Sequence, residues 1–243
     1  MSTNIFDFLV IGGGVIGISI ARELKSRNQD CSVCILEKEN QFGLHASGRN
    51  SGVLHAGFYY TANSLKARFT KEGNQRLTEY CEAKNLALKK CGKLVVVQNE
   101  SELVWLDELM LRAKNNGVPL ELITDEESLT IEPRAKTYQK ALFSPTTASI
   151  NPTELVKSLL LDAIQEGVQL KTNTQYIHRS CKNSIKTSNG TFEAKYIINA
   201  AGLYADKIGR DFNFSKDYRI LPFKGLYLYS NEPQGALKTH IYP

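Results

Sequence analysis

The feature that most constrains this chain is Gly12-Gly13-Gly14-Val15-Ile16-Gly17, which follows the apolar run Phe8–Ile11 and opens a stretch of helical periodicity. It supplies G-x-G-x-x-G at Gly12, Gly14 and Gly17. Gly12 permits a tight turn, Gly14 admits a pyrophosphate to the backbone, and Gly17 lets helix and strand pack closely. Val15, Ile16, Ile20 and Leu24 recur at helical spacing. A second strand is expected over Ser32–Glu37, which completes a βαβ crossover. Glu37 lies at its end, about twenty residues beyond Gly17, where a carboxylate accepts hydrogen bonds from ribose hydroxyls and repels a 2′-phosphate. NADP is therefore disfavoured.

FAD and NAD share this fingerprint. The next segment, Ser47-Gly48-Arg49-Asn50-Ser51-Gly52-Val53-Leu54-His55-Ala56-Gly57, is too polar and glycine-rich for a second crossover helix. It suits a loop following an extended pyrophosphate and a flat ring system, which favours FAD.

Further along, helices are expected over 65–84, after Ser101 as a cap, after the Thr124/Glu127 capping box, and from Asn151-Pro152 to Gly167. Strands are expected at 93–98, 168–171 and 185–187, with an Asn189-Gly190 turn returning into 192–199. Alternating apolar residues resume from Tyr218 to Tyr229.

The length of 243 residues, 42% of them hydrophobic, is ample for a core in one large or two small domains. The net charge of +5 is dispersed, without the basic run that a nucleic acid or an anionic membrane would select, and at most suits an acidic small substrate. No apolar run approaches the ~18 residues of a membrane-spanning helix, and no secretory signal pattern opens the chain. The expected location is the cytoplasm, with peripheral attachment at the inner membrane as a variant. Five cysteines form an odd set suited to reduced thiols. Cys31 and Cys34 have C-x-x-C spacing but no second pair or nearby histidine, and are read as core thiols.

GGGVIG, Glu37, SGRNSGVLHAGFYY and INAAGLYADKIG at Ile198–Gly209 together resemble the FAD-dependent D-amino acid oxidase and glycerol-3-phosphate dehydrogenase superfamily. Within it, NSGVLHAGFYY, SLKA at Ser64–Ala67, CGKLVV at Cys91–Val96 and ILPFKG at Ile220–Gly225 are most similar to the L-2-hydroxyglutarate oxidase and dehydrogenase branch. The resemblance implies an α/β, Rossmann-type FAD-binding domain (1–84 and 151–214) interleaved with an incomplete α+β substrate domain (85–150 and 215–243). It also implies oxidation of a 2-hydroxy acid by hydride transfer to FAD, with oxygen or a membrane quinone taking the electrons. By analogy Gly12, Gly14, Val15, Gly17, Glu37 and Lys38 hold the ADP half, Ser51, Gly52 and Val53 follow the pyrophosphate and flavin, and Ala201 and Gly202 close over the cofactor.

His55 is the candidate to accept or polarise the substrate hydroxyl proton, because an imidazole does so near neutral pH. Arg49, Tyr60 and Lys224 are candidate substrate contacts, Arg49 by a bidentate bond to a carboxylate. Tyr59 and Tyr60 alike read either as contacts to substrate oxygens or as ordinary half-buried aromatics, the latter favoured, and His45, His178 and His240 receive no ligand role. Arg49 stands where the branch usually carries histidine, and Leu226 where an acidic residue is common. Since the family continues well past residue 243, the chain is expected to be truncated at its C-terminal end. The alternatives are a non-catalytic remnant that at most binds FAD, or an FAD-dependent amine or amino-acid oxidase.

Overall fold

The computed structural model describes residues 4–214, 216–233 and 235–243. The chain divides into two compact units, residues 1–50 with 152–227, and residues 51–151 with 228–243. In chain order the first unit opens with β1 (Asn4–Ile11), α1 (Val15–Arg27) and β2 (Val33–Leu36). The second takes β3 (Val53–Leu54), α2 (Leu65–Ala83), β4 (Leu88–Lys89), β5 (Lys93–Val96), α3 (Leu103–Asn116), β6 (Glu121–Thr124), α4 (Asp125–Ile131), β7 (Lys140–Ser144) and β8 (Ala148–Ile150). The chain returns to the first unit through α5 (Pro152–Gln165), β9 (Gln169–Lys171), β10 (Tyr176–Cys181), β11 (Ser184–Thr187), β12 (Gly190–Asn199) and α6 (Ala205–Asp211), and β13 (His240–Tyr242) belongs to the second.

The first unit is built on one sheet of order β10-β11-β12-β1-β2-β9. β1 pairs in parallel with both β2 and β12, and β2 in parallel with β9. Central parallel strands are covered on both faces, which explains the unbroken apolar run at the end of β1. Phe6, Leu9, Ile11, Cys34, Leu36, Phe192 and Ile208 form one buried cluster there. Cys31 and Cys34 are indeed buried core thiols, and burial pushes the Cys34 thiol up to about 12.

α1 turns a different face to the core than its apolar periodicity suggests. Gly17, Ile18 and Ala21 are buried, whereas Ile16 is 64% exposed. Close packing at Gly17 selects the narrow side of the helix and leaves the bulkier side chain outside. α1 is tied to α5 by Arg22, which reaches Asp162 at 3.2 Å and Glu166 at 2.8 Å.

The second unit contains a four-stranded sheet, β13-β5-β7-β6, and a three-stranded one, β3-β8-β4. Phe58, Val95, Val97, Leu106, Ala113 and Leu142 form its main buried cluster, with Leu103, Leu109 and Met110 of α3 packed against it. The Thr124/Glu127 capping box forms with both reciprocal hydrogen bonds. Ser101 does not cap α3: it lies in a 3-10 turn, Glu100–Glu102, that precedes the helix. Residues 51–84, expected with the dinucleotide-binding part, pack with the second unit, because β3 pairs with β8 rather than with any strand of the six-stranded sheet. Residues 218–229 form no strand despite their alternation, and Leu221, Phe223, Leu226, Leu228 and Tyr229 are exposed.

Candidate functional site

The glycine loop joins the end of β1 to the start of α1. Gly12 has φ +113°, and a Cβ there would meet the Ala200 carbonyl oxygen at 2.3 Å. A Cβ on Gly17 would lie 2.0 Å from the Gly12 carbonyl oxygen. Neither position tolerates a side chain. The Ala200 contact and an Ala200 N–H bond to the Ile11 carbonyl at 2.9 Å bring the Ala201-Gly202 segment against the loop. Gly14 is the N-cap of α1, whose first turn carries no acidic residue, so the helix keeps its positive end for an anion.

Glu37 follows β2 directly and is only 8% exposed. Its N–H donates to the Lys171 carbonyl and its carbonyl accepts from the Thr174 N–H, both at 2.8 Å, which fixes its place at the sheet end. The carboxylate turns to the glycine loop: Oε2 accepts from the Gly13 N–H at 2.9 Å and Oε1 from the Glu39 N–H at 3.0 Å. A carboxylate oxygen accepts more than one hydrogen bond, so both oxygens retain capacity for ribose hydroxyls. The Lys38 ammonium lies 3.3 Å from Glu39 and 4.3 Å from the centre of the Tyr204 ring. Burial works against its charge, but the bonds to Glu39 and Tyr204 outweigh it and hold its pKa above the ordinary value.

Ser47 is a component that the sequence did not single out. Its Oγ accepts from the Val15 N–H at 2.9 Å, satisfying one of the unpaired donors of the first turn of α1. Its signal is buried in a segment rich in serine and glycine, where no spacing distinguishes one hydroxyl from another.

Gly12, Gly14, Val15, Gly17, Glu37, Lys38, Ala201 and Gly202 are thus all in the first unit. Arg49 and Lys224 are in it too, but both are exposed and apart from the glycine loop's hydrogen-bond network. Ser51, Gly52, Val53, His55 and Tyr60 are in the second unit. Gly52, at φ +69°, turns the chain into β3 and accepts from the Ile150 N–H at 2.9 Å. The Lys66 ammonium lies 4.5 Å from the centre of the Tyr60 ring. His55 is half-buried, edge-on to Tyr242 with ring centres 6.4 Å apart. Burial, then the charges of Lys93 and His240, lower its pKa, so the imidazole is neutral at pH 7 and able to accept a proton.

A strand, a glycine turn with no room for side chains, a helix start and a buried acid at the next strand end define a dinucleotide-binding α/β protein. The chain belongs to the DAO family of FAD dependent oxidoreductases, whose model matches residues 7–243. It is 35% identical over 251 residues to a protein of Caenorhabditis briggsae named "L-2-hydroxyglutarate dehydrogenase, mitochondrial", covering 98% of this chain and 57% of that one. The human protein of the same name is 34% identical over 259 residues, covering 100% of this chain and 56% of that one. The chain therefore spans little more than half the length of these relatives.

Among solved structures, glycine oxidase from Geobacillus kaustophilus superposes with a TM-score of 0.78 at 25% identity, over 87% of this chain and 59% of that one. Dithionite-reduced L-alpha-glycerophosphate oxidase from Mycoplasma pneumoniae with FAD bound gives 0.78 at 30%, over 86% and 57%. The relatives are named as mitochondrial proteins, which overturns the expectation of a cytoplasmic location. Among the described residues no helix is long and apolar enough to cross a membrane.

Proposed function

We propose that the chain binds FAD through the Gly12–Gly17 loop and Glu37 and serves the oxidation of a 2-hydroxy acid, L-2-hydroxyglutarate, to the 2-oxo acid. The observation that carries the first part is the Glu37 carboxylate, buried and held against the Gly13 N–H at the mouth of a helix start free of acidic side chains. The substrate follows from the names of relatives aligned along 98–100% of the chain. FAD, when bound, supplies the hydride acceptor for the substrate carbon.

The chain's residues have separate tasks. α1 directs its N–H groups and dipole at the pyrophosphate, while Glu37 accepts from the ribose hydroxyls. Lys38, stacked on Tyr204, adds positive charge beside Glu37. Ala201 and Gly202 wall the loop from the β12 side. His55, neutral at pH 7, takes the proton of the substrate hydroxyl and holds it on a ring nitrogen. Electrons leave to oxygen or to a membrane quinone.

The test is the visible spectrum of the chain refolded with FAD, followed anaerobically with L-2-hydroxyglutarate, other 2-hydroxy acids and amino acids. The expected result is a yellow protein bleached by L-2-hydroxyglutarate. Bleaching by amino acids alone establishes the amine-oxidase alternative, which the glycine oxidase likeness favours. A colourless protein overturns FAD binding, and a yellow one that no substrate bleaches is the non-catalytic remnant. An oxygen electrode trace after bleaching separates oxygen from quinone.

A further inference from the structure

Buried polar side-chain atoms rarely lack a hydrogen-bond partner, because each one left unsatisfied forfeits the hydration it had in the unfolded chain. Among the described residues four do so: Tyr59 Oη, Lys93 Nζ, Thr239 Oγ1 and His240 Nε2. They are not scattered. All four belong to the second unit, and the parallel pairing of β13 with β5 places His240 opposite Lys93, with Thr239 preceding it. Lys93 is fully buried, its ammonium 4.3 Å from the centre of the Tyr59 ring, 4.7 Å from Phe58 and 4.8 Å from Tyr242. The aromatic faces attract the cation but accept no conventional hydrogen bond from it. Tyr242 also carries His55 on its edge.

We propose that Lys93, Tyr59 and His240 form a carboxylate-binding site in which the second unit grips the acidic group of the substrate. The assignment rests on the 2-hydroxy acid reading above. Its chemistry is that of unspent donors: an ammonium, a phenol and, in the Nε2-protonated tautomer, an imidazole can all donate to a carboxylate, and none of them must lose a proton to do so. The ammonium repels a cationic ligand and makes a charge-assisted hydrogen bond to a carboxylate that is stronger than one to a neutral oxygen, so the site favours anions. Phe58 is fully buried while Tyr59 and Tyr242 are half-buried, so these two rings are the part of the cluster nearest solvent. Burial lowers Lys93 to about 8, and burial raises Tyr59 to about 12. Burial, Lys89 and Lys93 lower His240, and burial, Lys93 and His240 lower His55, so at pH 7 Lys93 is the charged member.

The experiment is a titration of the 243-residue chain with glutarate, which has the carboxylates of the substrate but no hydroxyl to oxidise. Binding is followed through the His55 and His240 imidazole resonances. A saturable shift is expected, weakened about tenfold or more in Lys93→Met, retained in Lys93→Arg and weakened several-fold in Tyr59→Phe. Affinity of the wild type falls as pH rises through about 8, while that of Lys93→Arg does not. No saturable shift in the wild type, or equal shifts in the wild type and Lys93→Met, overturns the site. If Lys93→Met does not fold, Lys93→Arg and Tyr59→Phe carry the test: the site is overturned if Tyr59→Phe matches the wild type and Lys93→Arg keeps the wild-type loss above pH 8. The function is tested separately. Glutarate binding through Lys93 without flavin bleaching by 2-hydroxyglutarate refutes the proposed reaction and leaves the site; bleaching with a KM that Lys93→Met does not change refutes the site and leaves the reaction.

Discussion

A buried ammonium is a charge that folding must desolvate, and at Lys93 the consequence for stability can be worked out. Its folded-state value, about 8, lies below the ordinary 10.5. Between those two pH values the unfolded chain holds a proton that the folded chain has lost, so stability rises with pH across that window. Below about 8 the penalty is present in full. Lys93→Met, similar in volume and needing no hydrogen bond, is therefore expected to stabilise the chain at pH 7 by about 1–3 kcal/mol. That gain should shrink as pH is raised from 8 to 10.5. Urea unfolding at pH 7 and pH 10 measures it, and a variant less stable than the wild type at pH 7 contradicts the argument. Glu37 makes the opposite case, because its carboxylate is already held by two backbone donors. Glu37→Gln keeps the shape but loses the charge, and should weaken FAD binding roughly tenfold in a fluorescence-quenching titration, as expected of a lost charge-assisted hydrogen bond. Unchanged affinity would remove Glu37 from the site. The two residues also differ in how they read from sequence. Glu37 is legible because strand, glycine turn and acid stand at a fixed spacing. Lys93 is not, since a lysine at the head of a strand ordinarily reads as solvated, and only the pairing of β13 with β5 reveals what surrounds it.

Among the elements, α1 shows how far local pattern reaches. Its start at Val15, after three glycines, follows from loop chemistry that is local in sequence. Which face it buries does not, because that depends on the closeness of approach at Gly17, a tertiary fact. The approach is absolute. A methyl on Gly17 would meet backbone 2.0 Å away, and backbone cannot swing aside as a flexible side chain does. Gly17→Ala should lower stability by roughly 2 kcal/mol or more and abolish FAD binding, the two losses appearing together in thermal scans with and without FAD. A folded Gly17→Ala that binds FAD normally would show that α1 can slide without cost. The Thr124/Glu127 box was likewise legible, being complete within four residues, whereas β6, β7 and β10 were not. β6 and β7 pair with each other across α4, and β7 pairs with β5 beyond α3, whereas β10 (YIHRSC) pairs with the adjacent β11 but carries no buried alternation to betray it. Residues 51–84 group with the second unit rather than with the dinucleotide-binding part through the β3–β8 pairing, which spans almost a hundred residues and so leaves no local trace in the sequence.

For the molecule as a whole, the unusual quantity is apolar surface. In the segment from Tyr218 to Tyr229, Phe223 is 91% exposed, Leu226 85%, Leu228 101% and Tyr229 92%, and no strand pairs with it. The alternation that reads as a strand from sequence is thus real chemistry without a partner. At its start the segment adjoins an apolar cleft of about 540 Å³ lined by Ile197, Ile208, Phe212, Tyr218 and Ile220. Its first residues are anchored, since the Asp206 carboxylate accepts from the Ile220 N–H at 3.3 Å and Arg210 donates to the Tyr218 carbonyl at 3.1 Å. Beyond Ile220 the chain forms no strand and exposes a run of alternating apolar side chains, a composition that favours association with another chain. The isolated chain should accordingly bind ANS and self-associate with rising concentration. Leu226→Lys combined with Leu228→Lys should reduce both effects, because charge on an exposed apolar segment disfavours association with a second copy, and should leave FAD affinity unaltered, since neither residue bonds to the glycine loop. Sedimentation velocity over a concentration series and an ANS titration read the two effects. A wild-type chain that stays monomeric and dark in ANS would mean that these side chains find cover in solution.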